Sequence, residues 1–122
     1  MKFSIVAAAL SFVCISSAAY ADGDAVAGKS VFNKCAICHS PAPGKNSVGP
    51  TLFGVVGRHS ASVPGYSYSE AMKAANKTWD EATLDAYLTD PKAMVPGTKM
   101  SFAGLPKPED RANVIAYLAT LK

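Results

Sequence analysis

The sequence predicts an all-α domain, with about four short helices and long loops wrapped around something other than the chain's own side chains. Three observations lead there. Apolar residues recur at helical spacing in four segments. No run reads as a strand. The connections between the segments are long and rich in turn formers. Pro41 through Gly57 alone holds three prolines and four glycines, and "MVPGTKMSFAGLPKP" is of the same kind. Loops of that length need a surface to pack on.

Residues 1–21 are expected to be a secretory signal. Lys2 gives a positive start, an apolar run follows from Phe3 to Ile15, and Ala19-Tyr20-Ala21 forms an A-x-A cleavage site. The apolar run is too short to cross a bilayer and no positive stop follows it, so stable membrane insertion is not expected. Bulky Val13 argues against lipid attachment at Cys14. Cleavage after Ala21 would release residues 22–122, one domain of about a hundred residues, into the periplasm. A domain of that size is marginal without help.

The first expected helix runs roughly from Asp24 to Ala36, with Asp24 as a cap and Val31 and Phe32 as apolar contacts. The second is short, Ser69 to Ala75, with Ser69 as its cap. In the third, Asp80 caps, acids fill the first turn, and Leu84, Tyr87 and Leu88 share a face before Pro91 closes it. In the fourth, Pro108 and two acids open a stripe of Val114, Ile115, Leu118 and Leu121, and Lys122 stands at the end. Without Lys2, eleven Lys and Arg face nine Asp and Glu, a formal charge of +2. That is not the basic excess of a nucleic-acid binder.

The chemistry sits in "KCAICHS". Cys14 leaves with the signal, so Cys35 and Cys38 are the remaining cysteines, in an oxidising compartment where free thiols seldom persist without a task. Structural zinc needs four protein ligands, but the motif offers three and His59 is the only other histidine. A thioredoxin-like pair expects a βαβ setting that is absent. C-x-x-C-H is the signature of covalent haem attachment. Two thiols three apart reach neighbouring vinyl groups, and His39 is carried under the ring. Haem would also provide the slab that the loops surround. The remaining axial position decides the function, because a second strong ligand favours electron transfer over ligand binding. Met72, Met94, Met100 and His59 are its candidates.

The stretches "NKCAICHS", "VGPTLFGVVGR", "PGYSYSEAMK", "TWDEATLDAYLTDPKAMVPGTKMSFAGL" and "DRANVIAYL" follow one another as in class I cytochrome c. The chain resembles the bacterial and mitochondrial shuttle cytochromes over nearly all of its mature length. The P-G-T-K-M run with its following Phe is the most specific part. The resemblance implies the cytochrome c fold, one haem c bound through Cys35 and Cys38, and His39 and Met100 as axial ligands. A thioether ligand favours ferrous iron, whereas Met72 and Met94 are expected in the core and His59 on the surface. It further implies that Pro50 accepts from His39 Nδ1–H, that Tyr87 approaches the Met100 sulfur, and that Thr98 is a polar contact on the Met100 loop. Arg58, Tyr66, Tyr68 and Trp79 resemble the group around the haem propionates. Gly28, Phe32 and Tyr117 match the crossing of the first and last helices. Two departures stand out. Met72 replaces the Asn of many mitochondrial members, and the segment between Phe32 and Cys35 is one residue shorter than theirs.

The implied function is one-electron transfer, not enzymatic catalysis. A haem enzyme needs an open distal site with acid–base groups and a gas sensor needs a ligand readily lost, but Met100 fills that place. Lys34, Lys92 and Lys99 flank the haem-binding segments, with Lys29, Lys45 and Lys107 further out, while Asp80, Glu81, Asp85, Glu109 and Asp110 lie on helices away from them. This distribution predicts a basic ring that steers a monomer to acidic docking sites on redox proteins. The donor would be a quinol-oxidising complex or a dehydrogenase. The acceptor would be an oxidase, a reaction centre or a reductase.

Overall fold

The computed structural model describes residues 23–122. The expected signal segment and its cleavage site lie outside the described residues. Five helices carry the fold. The first, α1 (Ala25–Phe32), starts at Asp24, whose carboxylate accepts from the Val26 and Ala27 N–H groups. It is shorter than the sequence suggests. From Asn33 the backbone tightens into i→i+3 bonds, ending with Cys35 N–H on the Phe32 carbonyl at 2.7 Å. Successive turns then present Cys35, Cys38 and His39, and His39 N–H returns to Cys35 O at 2.9 Å.

Helix α2 (Glu70–Ala75) is capped by Ser69 and stopped by Asn76 in the left-handed region, φ 50°. Helix α3 (Glu81–Thr89) begins at Asp80, which accepts from Thr83 N–H at 2.7 Å. The next helix, α4 (Pro91–Met94), is absent from the sequence reading. Pro91 does close α3, but it also opens α4, because Asp90 ends one helix and caps the next through Ala93 N–H. The last, α5 (Pro108–Ala119), starts on proline and two acids as expected. Among the described residues the only β pairing is an isolated bridge between His59 and Thr78.

Helices α1 and α5 cross at Gly28. A Cβ there would be driven into the Asn113 carbonyl and stand 2.9 Å from Tyr117 Cβ. Beside the crossing, Phe32 and Tyr117 pack with centroids 5.1 Å apart and ring planes tilted by 54°. Asp24 N–H donates to Asn113 Oδ1 at 2.8 Å. Leu84, Tyr87 and Leu88 of α3 are buried with Val114, Ile115 and Leu118 of α5, while Leu121 is half-buried. Arg111 ties the two helices together, pairing with Asp85 at 2.8 Å and donating to Leu105 O at 2.8 Å. Met94 packs against this core, as expected.

Candidate functional site

The helices and loops enclose a cavity of about 570 Å³, within the range of pockets for cofactor-sized ligands. Its walls include Leu52, Val55, Leu84, Leu88, Phe102, Val114 and Leu118, so the core is built around a space rather than closed on itself. All eleven site residues expected from the sequence line it: Cys35, Cys38, His39, Pro50, Arg58, Tyr66, Tyr68, Trp79, Tyr87, Thr98 and Met100.

On one wall the Pro50 carbonyl lies 2.7 Å from His39 Nδ1. Nδ1 therefore carries the proton, and Nε2 keeps its lone pair with no partner among the described residues. Burial pushes His39 below the ordinary imidazole range and nearby Arg58 adds to this, against the opposing pull of the Pro50 bond. The ring is thus neutral near pH 7, as a metal ligand must be. Gly49 lies flat against it. A Cβ there would come within 2.7 Å of Nδ1 and closer still to Cε1.

Met100 lines the same cavity from the loop after α4. Thr98 Oγ1 accepts from Met100 N–H at 3.3 Å, and the Tyr87 hydroxyl approaches Met100 Sδ at 3.9 Å. Burial pushes the Tyr87 phenol up, partly offset by a hydrogen bond with Thr98, so the hydroxyl keeps its proton for the sulfur. Met72 reaches the same cavity while packing on the core. The exposed His59 ring stands between Ser60 O and Asn76.

The polar end is more tightly engaged than the sequence indicates. Arg58 donates to the Thr51 and Phe53 carbonyls at 3.1 Å each. Tyr66 spends its proton on Val48 O at 2.9 Å. Tyr68 accepts from Val63 N–H at 3.0 Å, which leaves its own proton to donate. Trp79 is 6% exposed, yet its indole N–H finds no acceptor among the described residues. An acidic group entering this end would meet two free donors.

A family model described as Cytochrome c matches residues 25–122. The chain belongs to the cytochrome c family. Cytochrome c2 of Rhodomicrobium vannielii is 55% identical over 121 residues, which cover 98% of this cytochrome and 94% of that one. Cytochrome c2 of Rhodoblastus acidophilus is 52% identical over 101 residues, covering 82% and 94%. Among solved structures, cytochrome cH from Methylobacterium extorquens superposes with a TM-score of 0.77 at 48% identity, covering 80% of this chain and 99% of that one.

As a family member the cytochrome carries haem c covalently through Cys35 and Cys38 and serves as an electron carrier. Its residues fit that group. Apolar walls, a pinned imidazole with a free nitrogen, a thioether in the same lining and unpaired donors at one end are what a haem requires. Burial and then Cys38 push the Cys35 thiol up, with Lys34 opposing, the reverse of a redox-active thiol.

Three features of the site escaped the sequence reading. Lys99, read only as surface charge, donates to Ser67 O and lies 4.8 Å over the Tyr66 ring. The apolar cavity walls carry no mark that separates them from an ordinary core. The bonds of Asn46, described below, had no signal at all.

Proposed function

We propose that this cytochrome is a periplasmic one-electron shuttle with His39 and Met100 as the axial ligands of its haem. The observation that carries the reading is that both side chains face one apolar cavity, each held from behind by a hydrogen bond or close polar contact. The haem, when bound, supplies the reversible one-electron couple. The chain does the rest. Pro50 fixes the His39 ring and strengthens it as a donor. Thr98 and Tyr87 hold the Met100 loop in place in both oxidation states, which keeps reorganisation small. The buried walls exclude water and external ligands. Arg58, Tyr68 and Trp79 receive the propionate end, with Tyr66 beside them.

The outlet is the edge carried by the Cys35–Cys38 turn. Ile37 and Val48 line the cavity mouth, and they are 81% and 73% exposed. Lys34 and Lys99 line the same mouth. An apolar centre with cations beside it suits brief docking to acidic sites on a donor (a quinol-oxidising complex or dehydrogenase) and an acceptor (an oxidase, reaction centre or reductase). Among the described residues no helix is long and apolar enough to cross a membrane. Residues 1–21 fit a signal removed on export, leaving one domain, 22–122.

An optical spectrum of the purified protein tests the ligation. Haem c bands with the weak ferric band of sulfur-bound iron at the near-infrared edge are expected. Haem bands without the sulfur band would remove Met100 from its place and return the enzyme and sensor readings. Mass spectrometry of the exported protein is expected to find Asp22 at its start.

A further inference from the structure

The Asn46 carboxamide stands between two parts of the site. Its Oδ1 accepts from Thr51 N–H at 3.0 Å and its Nδ2 donates to Pro64 O at 3.1 Å. These partners leave no choice of amide orientation, since an N–H needs an oxygen and a carbonyl needs an N–H. The Thr51 N–H belongs to the same planar trans peptide as the Pro50 carbonyl, and that carbonyl accepts from His39 Nδ1–H.

The dipoles therefore run head to tail. His39 Nδ1–H donates to the Pro50–Thr51 peptide, that peptide donates to the Asn46 amide, and the amide donates to Pro64 O. We infer that Asn46 is a positioning residue that tunes His39 through this relay and couples it to the strap over the cavity mouth, residues 64–68. The inference rests on the reading of His39 as iron ligand.

The physics has a definite sign. Aligned amide hydrogen bonds polarise one another by about 10–30% per bond. An acceptor on Thr51 N–H makes the Pro50 carbonyl a better base. That carbonyl then draws harder on Nδ1–H and gives the imidazole more donor strength, which favours ferric iron. The peptide is well placed to transmit this, because it is otherwise immobile. Thr51 is buried, its hydroxyl donates to Ala42 O at 2.6 Å, and its carbonyl accepts from Arg58. The strap end is likewise fixed, through Tyr66 on Val48 O and Lys99 on Ser67 O.

The test compares Asn46→Leu with Asn46→Asp, both close in size to the original. Leu removes the acceptor from Thr51 N–H. An ionised Asp is a stronger acceptor there, yet neither variant can donate to Pro64. The readout is the His39 Nδ1–H resonance of the reduced, haem-loaded protein near neutral pH. It is expected to move upfield in Asn46→Leu and downfield in Asn46→Asp, with the reduction potential rising in the first and falling in the second. Amide exchange at Val63, whose N–H donates to the strap's Tyr68 hydroxyl, is expected to speed up roughly tenfold in both, the loss of one hydrogen bond. A merely structural role would move the resonance the same way in both variants. That result, or an unmoved resonance, overturns the relay. Unchanged exchange in both variants overturns the coupling to the strap. If the wild-type His39 ring protons lack the shifts of a haem ligand, the ligation itself is wrong, which is a distinct outcome.

Discussion

Replacing Tyr87 by Phe removes one oxygen from the wall behind Met100 and little else. The ring is 7% exposed and packs on Trp79 with centroids 4.8 Å apart, contacts that Phe retains. The hydroxyl's approach to Met100 Sδ, at 3.9 Å, is at the long end for a sulfur acceptor, itself a weak one. The bond is therefore placed at the lower end of the usual net range, about 0.5–1 kcal/mol. It is stronger to ferrous-bound sulfur, because ferric iron draws the sulfur's electrons away from the proton. Most of its worth therefore favours the reduced state. At about 59 mV and about 1.4 kcal/mol per tenfold, Tyr87→Phe should lower the potential by roughly 20–45 mV. Spectroelectrochemical titration near neutral pH reads this directly. The ferric sulfur band must persist, so that the change is not loss of the ligand. A potential that stays the same or rises with the band intact would refute the assigned direction of the Tyr87–Met100 contact.

Gly28→Ala forces α1 and α5 apart against Asn113 and Tyr117; it should cost roughly 1–3 kcal/mol and lower Tm by about 4–8 °C per kcal/mol, read by thermal unfolding of the ferric protein. Gly49→Ala presses a carbon on the His39 ring; less haem-loaded protein with an altered spectrum is expected from co-expression with a maturation system. The Asp80 carboxyl is held below its ordinary range by its bonds to Thr83, so its contribution to α3 is complete above the unfolded value, near 4, and is lost as pH falls through the lower folded one. Asp80→Asn keeps the capping acceptor and should remove that part of the acid dependence in pH-dependent unfolding. Rates with a partner carrying an acidic docking site should fall as ionic strength rises, and flat stopped-flow rates would remove electrostatic steering.

Helices with their own caps and apolar stripes were legible in the sequence. Ser69, Asp80 and Pro108 mark starts that the structure keeps, and Leu84, Tyr87 and Leu88 share the buried face that their spacing predicts. What failed were boundaries set by neighbouring turns. The end of α1 tightens after Phe32, and α4 occupies four residues, too few for any periodicity. The cavity was legible only indirectly, as long loops in need of a filling. Cys35, Cys38, His39 and Met100 were legible because C-x-x-C-H and P-G-T-K-M are local patterns, whereas walls such as Leu52, Val55, Val114 and Leu118 look like any core. The bonds that close its mouth join Asn46 to Pro64, Tyr66 to Val48 and Lys99 to Ser67. Their specificity is for carbonyl groups, which every residue possesses, so no sequence pattern can point to them.

The crossing of α1 with α5 also sets an order of events during biosynthesis. Asp24 and Asn113 meet across 89 positions, so α1, the first helix among the described residues, has no α5 to pack on until almost the whole chain has been made. Such distant closure is slow and comes late. The Cys35–His39 turn hangs from the end of α1, so its final packing waits on the same closure.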